Sequence, residues 1–174
     1  MDSTGLIVDG PEGVELQTGV WSGPIGVTTG SLAQRPAVTD MSWEDIAEFS
    51  VIAEEGPLVL CGALERPAAN RPRLDGFGPG PYRIRVHARG RDDAYDTAVS
   101  EATEEYLFVS WPEIASPAVL IALASRAGRS WIISVKERPP QTLIGGMHAS
   151  TMPAAPAPAD VEDPQPDPDE TAGR

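Results

Sequence analysis

The chain has 174 residues, of which 41% are hydrophobic and 22% charged, a composition that suits one globular domain and excludes collagen, wholesale disorder and a membrane-spanning bundle. Its 13 Lys and Arg stand against 26 Asp and Glu, a net charge of -13, so nucleic acid and anionic lipid are not expected partners. The single cysteine, Cys61, excludes an intrachain disulfide scaffold; following Leu58-Val59-Leu60, it is expected to be a buried small hydrophobe.

The opening residues carry Asp2, Asp9, Glu12 and Glu15 without a basic or long apolar stretch, which is not a secretory signal and predicts a cytoplasmic protein. Gly5–Val8, Val14–Thr18 and Ile25–Thr28 read as short strands cut by Asp9-Gly10-Pro11-Glu12-Gly13 and Ser22-Gly23-Pro24 turns. Residues 48–53 and 58–61 are β-rich runs around Gly56-Pro57 and predict a hairpin. The strict alternation Tyr82-Arg83-Ile84-Arg85-Val86-His87-Ala88-Arg89 is the strongest strand signal, with Tyr82, Ile84, Val86 and Ala88 on one face and Arg83, Arg85, His87 and Arg89 on the other. Residues 106–111 predict a strand beside it. Ser116-Pro117 reads as a helix start and Gly128 as its stop, giving one helix near 117–127, followed by a last strand at Trp131–Val135. From Pro139 the chain is rich in Pro and acids and is expected to be a disordered tail, 139–174. The fold expected is mainly β: an antiparallel β-sandwich domain over residues 1–138 with one helix near its C-terminal end.

Chemistry-bearing motifs are sparse. His87, His148 and Cys61 are far apart and show no metal-ligand spacing, so no metal is expected. Asp92-Asp93-Ala94-Tyr95-Asp96 lacks the spacing of a calcium loop and reads as a solvated acidic loop. Gly76, Gly78 and Gly80 precede a strand rather than a helix and read as a turn, not a phosphate cradle, and no other cofactor motif is present. No nucleophile motif accompanies His87, so the chain is not expected to be an enzyme. The cationic row Arg83, Arg85, His87, Arg89 is the distinctive feature. Two readings stand beside each other: internal pairing with the acids of 44–55 or 92–105, or, with Tyr82 and Trp111, a surface for an unidentified protein partner.

The segments Trp43-Glu44-Asp45-Ile46-Ala47-Glu48, Gly80-Pro81-Tyr82 through Ala88-Arg89-Gly90-Arg91-Asp92, and Glu105-Tyr106-Leu107-Phe108-Val109-Ser110-Trp111-Pro112 resemble a set of uncharacterised actinobacterial β-sandwich proteins. The order of strands is also similar to that of the competence-associated nuclease inhibitor family of small acidic proteins. That likeness implies a non-catalytic, inhibitor- or immunity-like interaction module whose acidic surface meets a basic protein. The alternative from another class is a small-molecule or anion-binding protein, or a weak hydrolase, built on His87 and Arg85.

Overall fold

The structure, a computed structural model, describes residues 3–10, 13–54, 57–62 and 71–137, all within one unit, Met1–Pro140. Its elements in chain order are β1 (Ile7–Gly10), β2 (Gly13–Leu16), β3 (Gly26–Ser31), β4 (Asp45–Ala53), β5 (Gly80–Arg89), β6 (Glu105–Pro112), β7 (Val119–Leu123) and one helix, α1 (Arg126–Glu137). The fold is mainly β in two sheets. β1 and β2 form an antiparallel pair, and the remaining strands form a five-stranded sheet in the order β3-β6-β5-β4-β7. Only the β3–β6 pair is parallel; β6–β5, β5–β4 and β4–β7 are antiparallel.

β5 is long and central because its alternation gives it two usable faces. Ile84, Val86 and Ala88 join Leu6, Ile7, Ala47, Phe49, Tyr106 and Phe108 in the core that lies between the two sheets, with Val14 and Leu16 of β2 packed against it. Gly90 ends the strand at φ +75°, and a Cβ there would lie 2.5 Å from the Thr103 carbonyl oxygen, so only glycine fits this turn. Val51, Leu58 and Leu60 pack half-buried against this core, whereas Leu120 is exposed.

The last two elements exchange the types expected of them. Residues 119–123 form an edge strand, and the helix begins at Arg126 and takes in the Trp131-Ile132-Ile133 run expected to be a strand. Ser116-Pro117 offers a local helix start, but the acceptors for the orphan amides of a helix N-terminus sit further on. Ser125 Oγ accepts from Gly128 N at 2.9 Å, and Asp92 accepts from Arg126 N at 2.7 Å and Ala127 N at 2.8 Å. Apolar Val119–Leu123, β-branched at Val119 and Ile121, instead takes the free edge of β4. The helix lies against the start of the chain: Trp131 Nε1 donates to the Thr18 carbonyl at 3.0 Å.

The expected hairpin of 48–53 with 58–61 does not form, because both edges of β4 are occupied, by β5 and β7. Residues 58–61 contribute one bridge, Val59 to Arg73, and Cys61 is exposed rather than buried because no strand carries it inward. The tail expected over 139–174 and the boundary at 138 lie outside the described residues. No helix among the described residues is long and apolar enough to cross a membrane.

Candidate functional site

The second face of the five-stranded sheet holds the cationic row. Register places Glu48 of β4 directly opposite Arg85, Ser50 opposite Arg83, and Val109 and Trp111 of β6 on the other side of the same two arginines. Glu48 therefore sits where both guanidiniums converge: Arg83 Nε donates to it at 3.1 Å and Arg85 Nε at 2.8 Å. Arg83 Nη1 donates further to Ser50 Oγ at 3.1 Å and to the carbonyls of Ser116 and Pro117 at 2.9 and 3.0 Å. Burial alone would raise the Glu48 pKa; hydrogen bonds from Arg85 and Arg83 and the charge of Arg35 outweigh it and hold the carboxyl below its ordinary value.

Of the six residues assigned to a partner surface, five are buried: Arg83 is 1% exposed, Arg85 and His87 4%, Tyr82 1% and Trp111 0%. Of the two readings of the row, Arg83 and Arg85 follow internal pairing with the acids of 44–55 rather than the open surface, and His87 is buried beside them. The physical reason is the counter-charge: Glu48 and the segment above the sheet remove these cations from water in paired form, as buried charges require. Tyr82 lies on the opposite face, its hydroxyl donating to the Gly78 carbonyl at 2.7 Å and accepting from Phe77 N at 3.1 Å. Trp111 stays with the row. The guanidinium carbons of Arg35 and Arg85 lie 5.2 and 5.4 Å from its ring centroid, and its Nε1 donates to Glu113 at 2.7 Å.

Arg89 alone remains open, paired with Glu105 across the β5–β6 ladder and lying over the Trp43 ring at 4.8 Å. His87 has its ring centroid 5.7 Å from that of Trp43 and its Nδ1 3.4 Å from the Leu107 carbonyl. Burial lowers its pKa, the Arg85 charge adds to this, and the Leu107 carbonyl and Asp40 oppose it. At neutral pH the ring is uncharged.

Residues 32–44, an irregular segment between β3 and β4, cover the row at Arg85, His87 and Trp111, while the Ser116 and Pro117 carbonyls meet Arg83. Arg35 fastens one end with a fork on Glu113, Nε and Nη2 at 3.1 and 2.9 Å, and with Nη1 on Glu48 at 3.2 Å. The Val38 carbonyl accepts from Arg85 Nη1 at 3.5 Å, Asp40 caps Ser42 N at 2.9 Å, and Glu44 accepts from Gly90 N at 3.0 Å. From this pinned backbone Leu32, Val38 and Met41 point outward, 40%, 80% and 61% exposed. In the sequence, residues 34–40 show only Pro36 and a lack of periodicity, and Trp43-Glu44 opens one of the segments that carry the resemblance.

Two further buried polar clusters escaped sequence reading. Arg91 is fully buried. Its Nη1 donates to Asp45 at 2.6 Å, and its Nη2 donates to the Gly5 and Gln17 carbonyls at 2.9 and 2.7 Å, while Asp45 also accepts from Ser125 Oγ at 2.5 Å. Glu104 accepts from Gly19 N at 3.1 Å, from Val20 N and from the Tyr106 hydroxyl. Burial, reinforced by the hydrogen bond to Glu104, pushes the Tyr106 pKa strongly up and keeps the phenol protonated. These clusters tie the hairpin, the sheet and the helix start together. The 92–96 loop, read as solvated acid, supplies the helix cap through Asp92.

Among the described residues no group of three or more His, Cys, Asp or Glu is placed to hold a metal ion. No protein-family model, curated protein or solved structure matches the chain.

Proposed function

We propose that the protein is a non-catalytic protein-interaction module that works in the cytoplasm and meets its partner through the 32–44 segment. The observation that carries this reading is the pairing of a fixed backbone with outward apolar side chains. Val38 and Met41 face solvent while Arg35, the Val38 carbonyl and Glu44 hold their chain to the sheet. Apolar groups presented from an ordered segment lose little conformational entropy when they are covered, which favours affinity for a protein surface. The row Arg83, Arg85, His87 and Trp111 acts from beneath, as the platform that shapes the segment, and Arg89 with Trp43 forms its polar border. The excess of acids, 26 against 13 bases, favours a basic partner, of the kind an inhibitor or immunity protein meets.

The alternative on His87 and Arg85 requires an anion or substrate to reach a guanidinium whose Nε already holds Glu48 and an imidazole buried beside Trp43. Affinity capture from a bacterial lysate with the full chain, compared with Val38→Asp and Met41→Asp, separates the two readings. Capture of one stoichiometric protein that both variants lose, with unchanged melting temperature, supports the module. Retention by both variants refutes the assigned surface. Stabilisation by phosphate or a nucleotide in a thermal-shift assay, with no protein captured, gives the site to the small-ligand alternative.

A further inference from the structure

We infer that two copies of this chain pair edge to edge through β7, antiparallel about a two-fold axis, and continue the five-stranded sheet across the dimer. The inference is independent of the surface on 32–44. β7 ends the sheet, and its backbone makes no hydrogen bond on the side away from β4 among the described residues. Only another extended chain supplies donors and acceptors at the ladder spacing that such an edge needs. The devices that keep natural edges apart are scarce here: Val119-Leu120-Ile121-Ala122-Leu123 holds no Lys, no other charge and no Pro, and Val119, Leu120 and Ile121 are exposed. The one such device present is a bulge, where a register shift leaves Ile121 without a partner in β4.

A second copy is the occupant that the charge pattern favours. A chain of net charge -13 repels itself over most of its surface, but residues 114–125 carry no charged side chain, so two copies can meet at this edge without opposing like charges. Antiparallel pairing centred on Ile121 sets Leu120 against Ala122 and Val119 against Leu123, large against small on one side and apolar against apolar throughout. Such a contact is isologous and closes at two copies, the commonest soluble symmetry.

Sedimentation equilibrium of the full chain over a wide concentration range tests this. The expected result is an average mass rising from 18.4 kDa toward twice that value, and rising further as salt screens the net repulsion. Ile121→Lys, with its ammonium on the edge, should stay monomeric with an unchanged circular dichroism spectrum, while Val38→Lys should dimerise as the wild type does. Should Ile121→Lys fail to fold, amide exchange of residues 119–123 in the wild type replaces it, with protection expected to grow with protein concentration. A mass fixed at 18.4 kDa at every concentration and salt, which leaves the edge free for a strand of another protein, overturns the proposal. So does a dimer that Ile121→Lys leaves intact, or one whose 119–123 amides exchange equally at all concentrations.

Discussion

Glu48→Gln is the sharpest perturbation of the row, because it removes one charge and almost no volume. In the native protein that carboxylate, 4% exposed as a side chain, faces Arg83 and Arg85, 2% and 4% exposed, and it also takes a bond from the half-open Arg35. The variant leaves two buried guanidiniums without a counter-ion, and breaking a buried pair by removing one member costs about 3–5 kcal/mol. Against a total stability of about 5–15 kcal/mol for a domain, that is a large fraction, and it corresponds to a fall in melting temperature of about 6–20 °C. Urea unfolding followed by tryptophan fluorescence measures it, since Trp111 is buried in the row and Trp43 borders it. Glu105→Gln is the control: its pair with Arg89 is more than half exposed on both sides and should cost at most about 1 kcal/mol. The pH dependence carries its own sign. The Glu48 carboxyl is depressed in the folded state, so its stabilisation is complete above the unfolded carboxyl value, about 4.3, and is lost as pH falls through the depressed one. The gap between wild type and variant should therefore narrow on acidification. A loss under about 1 kcal/mol at neutral pH, matching that of an exposed pair, refutes the placement of the arginines inside.

Other expectations follow from the same geometry. The His87 imidazole, depressed by burial, should titrate by proton NMR with a midpoint below about 6.5; its contribution to stability is whole above that value and falls as pH drops through the midpoint, and His87→Asn should remove that loss. A midpoint at or above 6.5 contradicts the burial. Gly19→Ala would put a Cβ 2.0 Å from the Arg91 carbonyl oxygen, a backbone atom that cannot swing away, so a loss of about 1–3 kcal/mol or more is expected in chemical unfolding, whereas Gly30→Ala, with open space around it, should fold normally. Asp92→Ala removes the acceptor for two helix amides and should cost about 0.5–2 kcal/mol; an unchanged midpoint of denaturation argues against the cap.

Much of the β framework was legible because alternation is a local signal. Residues 82–89 and 106–111 fall inside β5 and β6, and the two faces of β5 separate as the pattern requires. That both faces are buried from Tyr82 to Ala88 was not legible, since that depends on register. Arg85 is internal because Glu48 stands opposite it across a long-range ladder, and the acidic run at 44–55 showed only that counter-charge existed. The exchange of helix and strand after residue 116 has a similar origin. Ser125 and Gly128 are local, but Asp45 and Asp92, which complete the helix start, come from β4 and from the turn after β5. The 32–44 segment left no periodic trace, because its conformation is imposed by Arg35 and by the carbonyl of Val38 rather than by its own backbone preferences.

The central claim, that the arginine row is a platform and residues 32–44 the contact, is tested most directly by placing a photo-crosslinking amino acid at position 38 of the full chain, with position 133 on the exposed side of α1 as reference. Irradiation in a bacterial lysate should join position 38, and not position 133, to one protein in stoichiometric yield, with the crosslink lost in Glu48→Gln under conditions where that variant remains folded. No adduct at position 38, or the same adducts from both positions, contradicts the account.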